Sequence, residues 1–163
     1  MKNPDFIQNK VYELPELLRQ ISRWKFLGKK IAFTNGCFDI LHEGHIFSLS
    51  AAAKEADILV VAVNTDRSVQ RLKGPDRPVN NEHSRVLLLS ALVMVDAVIL
   101  FDEETPRELI ATALPDVIVK GGDYTLDQIV GAKEVMATGG KVIINPIVAG
   151  FSTTATLEKI ARL

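Results

Sequence analysis

Residues 33–45 read F-T-N-G-C-F-D-I-L-H-E-G-H. An apolar, strand-like run stops at Gly36, and two histidines, His42 and His45, follow three residues apart. Residues at i and i+3 share a helix face, so a helix beginning near His42 would point both imidazoles the same way. Gly44 lies between them and lets the backbone come close to a ligand. Free N–H groups at a helix N-terminus attract anions, so the stretch predicts an anion site suited to polyphosphate.

Composition favours one well-packed domain. The chain has 163 residues, is 47% hydrophobic and carries a formal net charge of -1, which is enough apolar material for a single core. This near-neutral charge gives no reason to expect nucleic acid or a membrane surface as a partner. Cys37 is the single cysteine, so we expect no internal disulfide. With neither a signal-peptide pattern at the N-terminus nor a membrane-spanning run, we expect a cytoplasmic protein.

Strand-like and helix-like segments alternate along the chain. We predict an N-terminal helical extension over residues 1–28 and one domain over residues 29–163. The predicted strands cover residues 31–34, 58–63, 97–101, 117–119 and 142–144. The predicted helices cover residues 44–55, 67–72 with Asp66 as cap, 82–94, a segment with Pro106 at its first position, 127–137 and 152–163. Short links between such elements predict an α/β fold, a Rossmann-like doubly wound sheet of five parallel strands.

Candidate ligand-binding segments follow four of these strands. They are residues 35–45, 64–66, 120–124 and 152–154. Ligands of open parallel sheets bind outside the carboxyl ends of the strands. We therefore expect the four segments to meet at one edge of the sheet.

Known phosphate-binding fingerprints are absent, but another motif is present. The chain has neither G-x-G-x-x-G after its first strand nor a P-loop. Residues 38–45 instead resemble the F-D-x-x-H-x-G-H motif of cytidylyltransferase-like nucleotidyltransferases at every fixed position. Residues 64–66, 71–75, 77–80, 120–124 and 152–154 resemble, in order, the adenylyltransferase domain that makes ADP-heptose from heptose 1-phosphate. The chain departs from that pattern at Glu43, where the family often has a small residue, and at residues 147–151, which lack an acidic-Gly-Cys lead-in and an arginine.

This resemblance implies roles for the candidate residues. In nucleotidyl transfer a phosphate oxygen attacks the α-phosphorus of a nucleoside triphosphate, so catalysis rests on positioning and charge neutralisation. The implied catalytic residues are His42, His45 and Lys73. The implied nucleotide-binding residues are Asn35, Gly36, Cys37, Phe38, Gly44, Lys120, Gly121, Ser152, Thr153 and Thr154. The implied substrate-binding residues are Asp39, Asp66, Arg77, Arg85, Asp123 and Tyr124. Mg²⁺ is expected with ATP, and no site built from protein ligands alone is expected for a metal.

Several of these residues have plainer alternatives. Ser152 and Asp66 suit ordinary helix caps, and Lys73, Arg77 and Arg85 suit a solvated basic face. Cys37 could be a nucleophile with His42 as its base, although we favour a small packed residue. The apolar helix over residues 86–95 fits either a homodimer interface or a deep core helix.

The resemblance implies transfer of AMP from ATP to a sugar 1-phosphate, D-glycero-β-D-manno-heptose 1-phosphate being our first choice. The products would be an ADP-sugar for lipopolysaccharide synthesis and pyrophosphate, and a separate sugar kinase would supply the acceptor. Alternatives within the class are a cytidylyltransferase for glycerol 3-phosphate and an adenylyltransferase for flavin mononucleotide (FMN). A catalytically silent nucleotide-binding regulator is an alternative from a different class.

Overall fold

A computed structural model describes residues 4–122, 124–146, 153–160 and 162. Its centre is one sheet of five parallel strands in the order β3-β2-β1-β4-β5. The strands are β1 Ile31–Gly36, β2 Ile58–Asn64, β3 Ala97–Phe101, β4 Val117–Gly121 and β5 Lys141–Asn145. The predicted α/β fold with five parallel strands is confirmed.

Helices connect successive strands and cover both faces of the sheet. Those in the described part of the chain are α1 Leu14–Phe26, α2 Glu43–Ala53, α3 Asp66–Lys73, α4 Glu82–Ser90, α5 Arg107–Ala113, α6 Ala132–Ala137 and α7 Thr153–Ile160. Short 3-10 helices lie at Pro4–Phe6, Gln8–Lys10 and Leu126–Gln128. None of the helices in the described ranges combines the length and apolarity needed to cross a membrane.

Alternating side chains of the strands form two cores, one on each face of the sheet. Phe33 of β1 is in register with Val60 of β2 and Ile118 of β4, and all three face α1, α5 and α6. The residues between them along each strand face α2 and α4, where Leu49 and Leu89 are buried. Strands buried on both faces need the near-continuous apolar sequence seen here.

Helix α1 belongs to the first of these cores. Leu17 and Ile21, four residues apart on one face of α1, are buried beside Phe33. The N-terminal helix therefore covers the sheet, and a domain boundary at residue 28 stays a prediction.

Two helix starts differ from those predicted. Thr65, and not Asp66, is the N-cap of α3, since its Oγ1 accepts the N–H of Ser68 at 3.1 Å. Threonine one residue earlier places its oxygen within reach of an otherwise unpaired N–H group. Pro106 is the N-cap of α5 and not its first residue.

Two helices are shorter than predicted because the chain turns early. α4 ends at Ser90 and not at residue 94, because the chain turns back there toward the start of β3. Just before β3, the Asp96 side chain accepts a hydrogen bond from the N–H of Leu59 at 2.8 Å. The predicted helix over residues 127–137 is divided into a 3-10 helix and α6. Gly131 separates them with φ +82°, a left-handed conformation that interrupts a helix.

α4 is buried on one side only. Val86 and Leu89 are buried, whereas Leu87 and Leu88 are exposed. The prediction of a deep core helix is therefore wrong, and a homodimer through the exposed side of α4 stays a prediction.

Strand order creates one switch point at the carboxyl edge. The chain moves outward from β1 through β2 to β3 and then returns to β4 on the other side of β1. Connections before and after this reversal leave the sheet on opposite faces, so a crevice opens between the ends of β1 and β4.

Leu17→Ala tests whether α1 is part of this core. Leu17 is fully buried, so we expect the free energy of unfolding to fall by about 2–5 kcal/mol. Urea denaturation measures the loss, and Leu27→Ala at the exposed end of α1 should change stability by less than about 0.5 kcal/mol. Equal effects of the two substitutions would contradict the packing of α1.

Candidate active site

A cleft of about 380 Å³ opens at the carboxyl edge of the sheet. It collects residues from the turn after β1, the first two turns of α2, the loop after α3, the end of β4 and the start of α7. The lining residues are Cys37, Phe38, Asp39, His42, Gly44, His45, Ser48, Lys73, Arg77, Gly121, Pro146, Thr153 and Thr154. Most residues predicted from sequence to bind or transfer a phosphate thus lie around one space.

The two predicted imidazoles are stacked. Their ring centroids lie 3.9 Å apart with 24° between the planes. His42 is the N-cap of α2 and has extended backbone angles, while His45 lies within the first turn of that helix. The i,i+3 spacing therefore places both rings on one side of the N-terminus of α2, as predicted.

A tight turn holds His45 from the other side. The Phe38 ring centroid lies 5.3 Å from that of His45, and Phe38 has φ +49°, a conformation rare for a non-glycine residue. A Cβ at Gly36 would lie 3.1 Å from the Phe38 ring. Glycine at position 36 therefore allows the aromatic ring to fold back against the imidazole.

Burial keeps His45 neutral. Burial first, and then the neighbouring His42, lower the pKa of His45 from 6.5 to about 4. Its buried Nδ1 has no hydrogen-bond partner among the described residues. At pH 7 the side chain is thus a neutral imidazole that can donate one hydrogen bond.

Asp39 anchors the loop that closes the cleft. It is 3% exposed and accepts hydrogen bonds from Arg77 Nε at 2.6 Å, Val79 N at 2.7 Å and Asn80 N at 3.0 Å. Burial alone would raise the pKa of Asp39, but these hydrogen bonds outweigh it and lower the pKa. The carboxylate is occupied by protein donors, so its predicted contact with sugar hydroxyls stays untested.

Arg85 lies beneath the cleft and not in it. Its side chain is fully buried and donates to Cys37 O at 2.6 Å, Asn80 O at 3.0 Å and Asp66 Oδ1 at 2.8 Å. The sequence predicted Arg85 beside a substrate. In the structure its guanidinium instead donates hydrogen bonds to other residues of the protein. Asp66 is likewise engaged, although a third of its side chain is exposed.

Some predicted nucleotide-binding residues line a second cleft of about 350 Å³. Asn35, Gly36, Lys120 and Tyr124 face this space, and Cys37 borders both clefts. Lys120 Nζ donates to Asn35 Oδ1 at 3.0 Å. The structure thus divides the predicted site residues into two neighbouring groups.

Cys37 has the properties of a packed thiol. It is half-buried, and its Sγ lies 3.8 Å from Asn64 Oδ1. Burial raises the pKa of the Cys37 thiol despite nearby Lys73 and Arg85. A thiol with a raised pKa is a poor nucleophile, which favours the packing role over the catalytic one.

Two predicted residues, Ser152 and Asp123, lie outside the described residues. Their neighbours are described: Thr153 begins α7, and its Oγ1 donates to Ile40 O at 3.5 Å. This contact ties the start of α7 to the chain segment between β1 and α2.

Three residues of the site were missed by sequence analysis. Ser48 lines the cleft one turn after His45, and its i+3 spacing from that histidine was a usable signal. Asn80 binds both Asp39 and Arg85, and Glu82 accepts the N–H of Asp66 at 2.8 Å. No local pattern predicts the contact of Asn80 with Asp39 or that of Glu82 with Asp66, because these partners lie 41 and 16 residues apart.

The described residues include no cluster of three or more His, Cys, Asp or Glu side chains that could hold a metal ion. The polar groups around the first cleft are mainly imidazoles, cationic side chains and hydroxyls, and these suit an anion better than a cation.

The sequence is similar to the sequences of known proteins. The chain is similar to the bifunctional protein HldE of Hyphomonas neptunium, with 56% identity over 143 residues, 88% of this chain and 29% of that protein. It is also similar to the bifunctional protein HldE of Mesorhizobium japonicum, with 48% identity over 157 residues, 96% of this chain and 32% of that protein. The chain therefore spans about a third of the length of these curated relatives.

Two solved structures share the fold. A lipopolysaccharide core biosynthesis protein from Thermoplasma volcanium has 35% identity and a TM-score of 0.59, covering 74% of this chain and 98% of that one. A pantoate-beta-alanine ligase from Francisella tularensis has the same TM-score at 13% identity, covering 94% of this chain and 78% of that one, and supports the fold alone. The cytidylyltransferase-like family model matches residues 33–158, which include the stacked histidines and the start of α7. The chain belongs to the cytidylyltransferase-like family.

Proposed function

We propose that this chain is an adenylyltransferase that transfers AMP from ATP to a sugar 1-phosphate. An oxygen of the sugar phosphate forms a bond to the α-phosphorus of ATP. The bond from that phosphorus to the bridging oxygen breaks, and pyrophosphate leaves with the electron pair. The products are an ADP-sugar and pyrophosphate, and D-glycero-β-D-manno-heptose 1-phosphate is the acceptor we expect.

The stacked pair of imidazoles carries this proposal. Their centroids lie 3.9 Å apart at the N-terminus of α2, where free N–H groups favour an anion. Hydrogen bonds from His42 and His45 would stabilise the charge that grows on the α-phosphate in the transition state. Phosphate is already a nucleophile, so the site needs no activated serine or cysteine.

The remaining cleft residues suit the rest of the triphosphate. Lys73 ends α3 and Arg77 follows in the next loop, and both face the cleft. Thr153 and Thr154 begin α7 on another side. Two cationic side chains and a helix N-terminus would neutralise the departing pyrophosphate.

Mg²⁺ is expected to enter with ATP as part of the substrate, held chiefly by phosphate oxygens. A separate kinase would make the sugar 1-phosphate. The names of the relatives support a place in the synthesis of cell-surface sugars, since the Thermoplasma volcanium protein is described by its role in lipopolysaccharide core biosynthesis. A cytoplasmic location and a homodimer through the exposed side of α4 complete the proposal, and sedimentation of the purified chain tests the dimer.

His45→Ala tests the catalytic role of the imidazole pair. We expect kcat for pyrophosphate release from ATP and heptose 1-phosphate to fall by about 100-fold or more, equivalent to about 2.7 kcal/mol of transition-state stabilisation. The control His83→Ala alters an exposed histidine outside the cleft and should leave kcat unchanged. Full activity of His45→Ala, or no wild-type turnover across a panel of sugar phosphates with ATP and CTP, would contradict the proposal.

The low pKa of His45 predicts how stability depends on pH. Above about pH 6.5 the imidazole is neutral in both folded and unfolded chains. As pH falls from 6.5 to about 4, the unfolded chain binds a proton that the folded chain does not, so the free energy of unfolding falls. We expect His45→Asn to reduce this loss, as measured by urea denaturation at each pH. An imidazole titration midpoint near 6.5 by NMR would contradict the burial of His45.

A further inference from the structure

The edge of the sheet opposite the imidazoles is nearly level. We call it the amino edge, because the five strands begin there. The register shows that all five begin within two residues of one another. The links that lead into the strands, residues 27–30, 54–57, 91–96, 114–116 and 138–140, therefore form one flat face.

Large apolar side chains project from the amino edge. Phe26 is 89% exposed and Leu27 is 61% exposed at the end of α1, and Val93 is 93% exposed in the link between α4 and β3. Val93 and Phe26 are the two most exposed large apolar side chains in the part of the chain that the structure describes. Apolar side chains that gather on one face favour an interaction surface.

Hydrogen bonds fix the turn at the end of α1. The N–H of Gly28 donates to the carbonyl of Lys25 at 3.0 Å, and the N–H of Lys29 donates to the carbonyl of Trp24 at 3.0 Å. This is the pattern of a Schellman helix end, and Gly28 has the left-handed φ of +75° that such an end requires. The apolar side chains of the turn are thus presented on an ordered backbone, which lowers the entropy cost of binding.

Basic side chains surround these apolar residues. Arg23, Lys25 and Lys54 are exposed, and within the described residues they form no ion pair. Asp96 is held by its contact with the backbone of Leu59. The other cations of the edge are paired, Lys29 with Asp57, Lys30 with Asp116 and Lys141 with Glu55. The amino edge therefore carries more cations than carboxylates, although the whole chain has a formal net charge of -1.

A cavity of about 490 Å³ opens at the amino edge beside the end of α1. Lys25, Lys30 and Lys141 line it. Lys25 Nζ donates to the carbonyls of Ala113 at 3.3 Å and Leu114 at 2.5 Å. An ammonium group has three N–H donors, so one donor of Lys25 remains for a ligand. A phosphate group suits this position, because it supplies both an acceptor and a negative charge.

These features together fit an anionic lipid surface. A second copy of the chain on the same face would place cations against cations. On a bilayer, by contrast, the apolar side chains enter the boundary of the acyl chains while the basic side chains stay at the lipid phosphates. The cleft that holds the imidazoles opens at the opposite edge of the sheet and stays accessible to soluble ligands.

We propose that the amino edge binds the surface of membranes that contain anionic lipids, with Phe26 and Leu27 in the interface and a lipid phosphate at Lys25. Net charge does not reveal this face, because acidic residues elsewhere in the chain balance it. The inference is independent of the proposed function, since binding to lipid needs no turnover.

Flotation of the purified chain with lipid vesicles tests the proposal. We expect the wild type to bind vesicles of equal parts phosphatidylglycerol and phosphatidylcholine, and to bind pure phosphatidylcholine at least about 10-fold more weakly. Added salt should weaken the binding, because it screens the lysines from the lipid phosphates.

Substitutions at the amino edge should lower the partition coefficient onto the mixed vesicles. We expect a decrease of about 10-fold or more for Phe26→Ala, because a large apolar side chain is no longer buried. We expect about 5-fold for Lys25→Gln and, independently, for Arg23→Gln, each of which removes one cation. Equal melting temperatures of the variants and the wild type would confirm that they fold.

Matched controls lie away from this edge. Leu126→Ala alters a half-exposed leucine on the 3-10 helix after β4, and Lys133→Gln alters an exposed lysine near the start of α6. Both should bind vesicles as the wild type does. Phe26→Trp should be quenched by brominated lipid more strongly than the native Trp24.

Three results would overturn the proposal. One is the absence of binding to the mixed vesicles, which would point to an acidic protein as the partner of this face. Another is equal binding to mixed and pure phosphatidylcholine vesicles. The third is an equal loss of binding in the amino-edge variants and their controls.

Discussion

The buried guanidinium of Arg85 joins three segments that lie far apart in the chain. It donates to the carbonyl of Cys37 after β1, to the carboxylate of Asp66 after β2, and to the carbonyl of Asn80 in the loop before α4. A fully buried cation is stable only when its donors are satisfied. The positions of the turn after β1 and of the loop over it are therefore coupled through one side chain.

Asp39 provides the complementary half of this arrangement. Its carboxylate accepts hydrogen bonds from the Arg77 side chain and from two loop amides. Its backbone carbonyl accepts a hydrogen bond from Asn80 Nδ2 at 2.7 Å. The loop that carries Arg77 is thus held from the turn after β1 and from α4 at once. Preorganisation of this kind suits a reaction that depends on placing charges, because the donors are already in position when the transition state forms.

Burial affects the charge of His45. The stacked ring of His42 and the ring of Phe38 surround His45, and the resulting loss of hydration keeps that imidazole neutral. A neutral donor at a helix N-terminus would bind a phosphate without releasing or taking up a proton near neutral pH. Cationic charge comes instead from Lys73 at the end of α3 and from Arg77 in the loop after it, which is paired with Asp39. Charge and hydrogen bonding thus come from separate elements.

Sequence by itself determined the α/β class, the five strands and the face of α2 that carries both histidines, because each depends on local periodicity and spacing. The helix ends at Thr65, Ser90 and Gly131 differ from those predicted. A local side-chain cap sets the first and the left-handed conformation of Gly131 the last, whereas the return of the chain to β3 ends α4 at Ser90. Only the tertiary structure placed Arg85 beneath the site and Lys120 in a second cleft. Those placements depend on partners up to 85 residues away, and no local pattern encodes contacts at such separations.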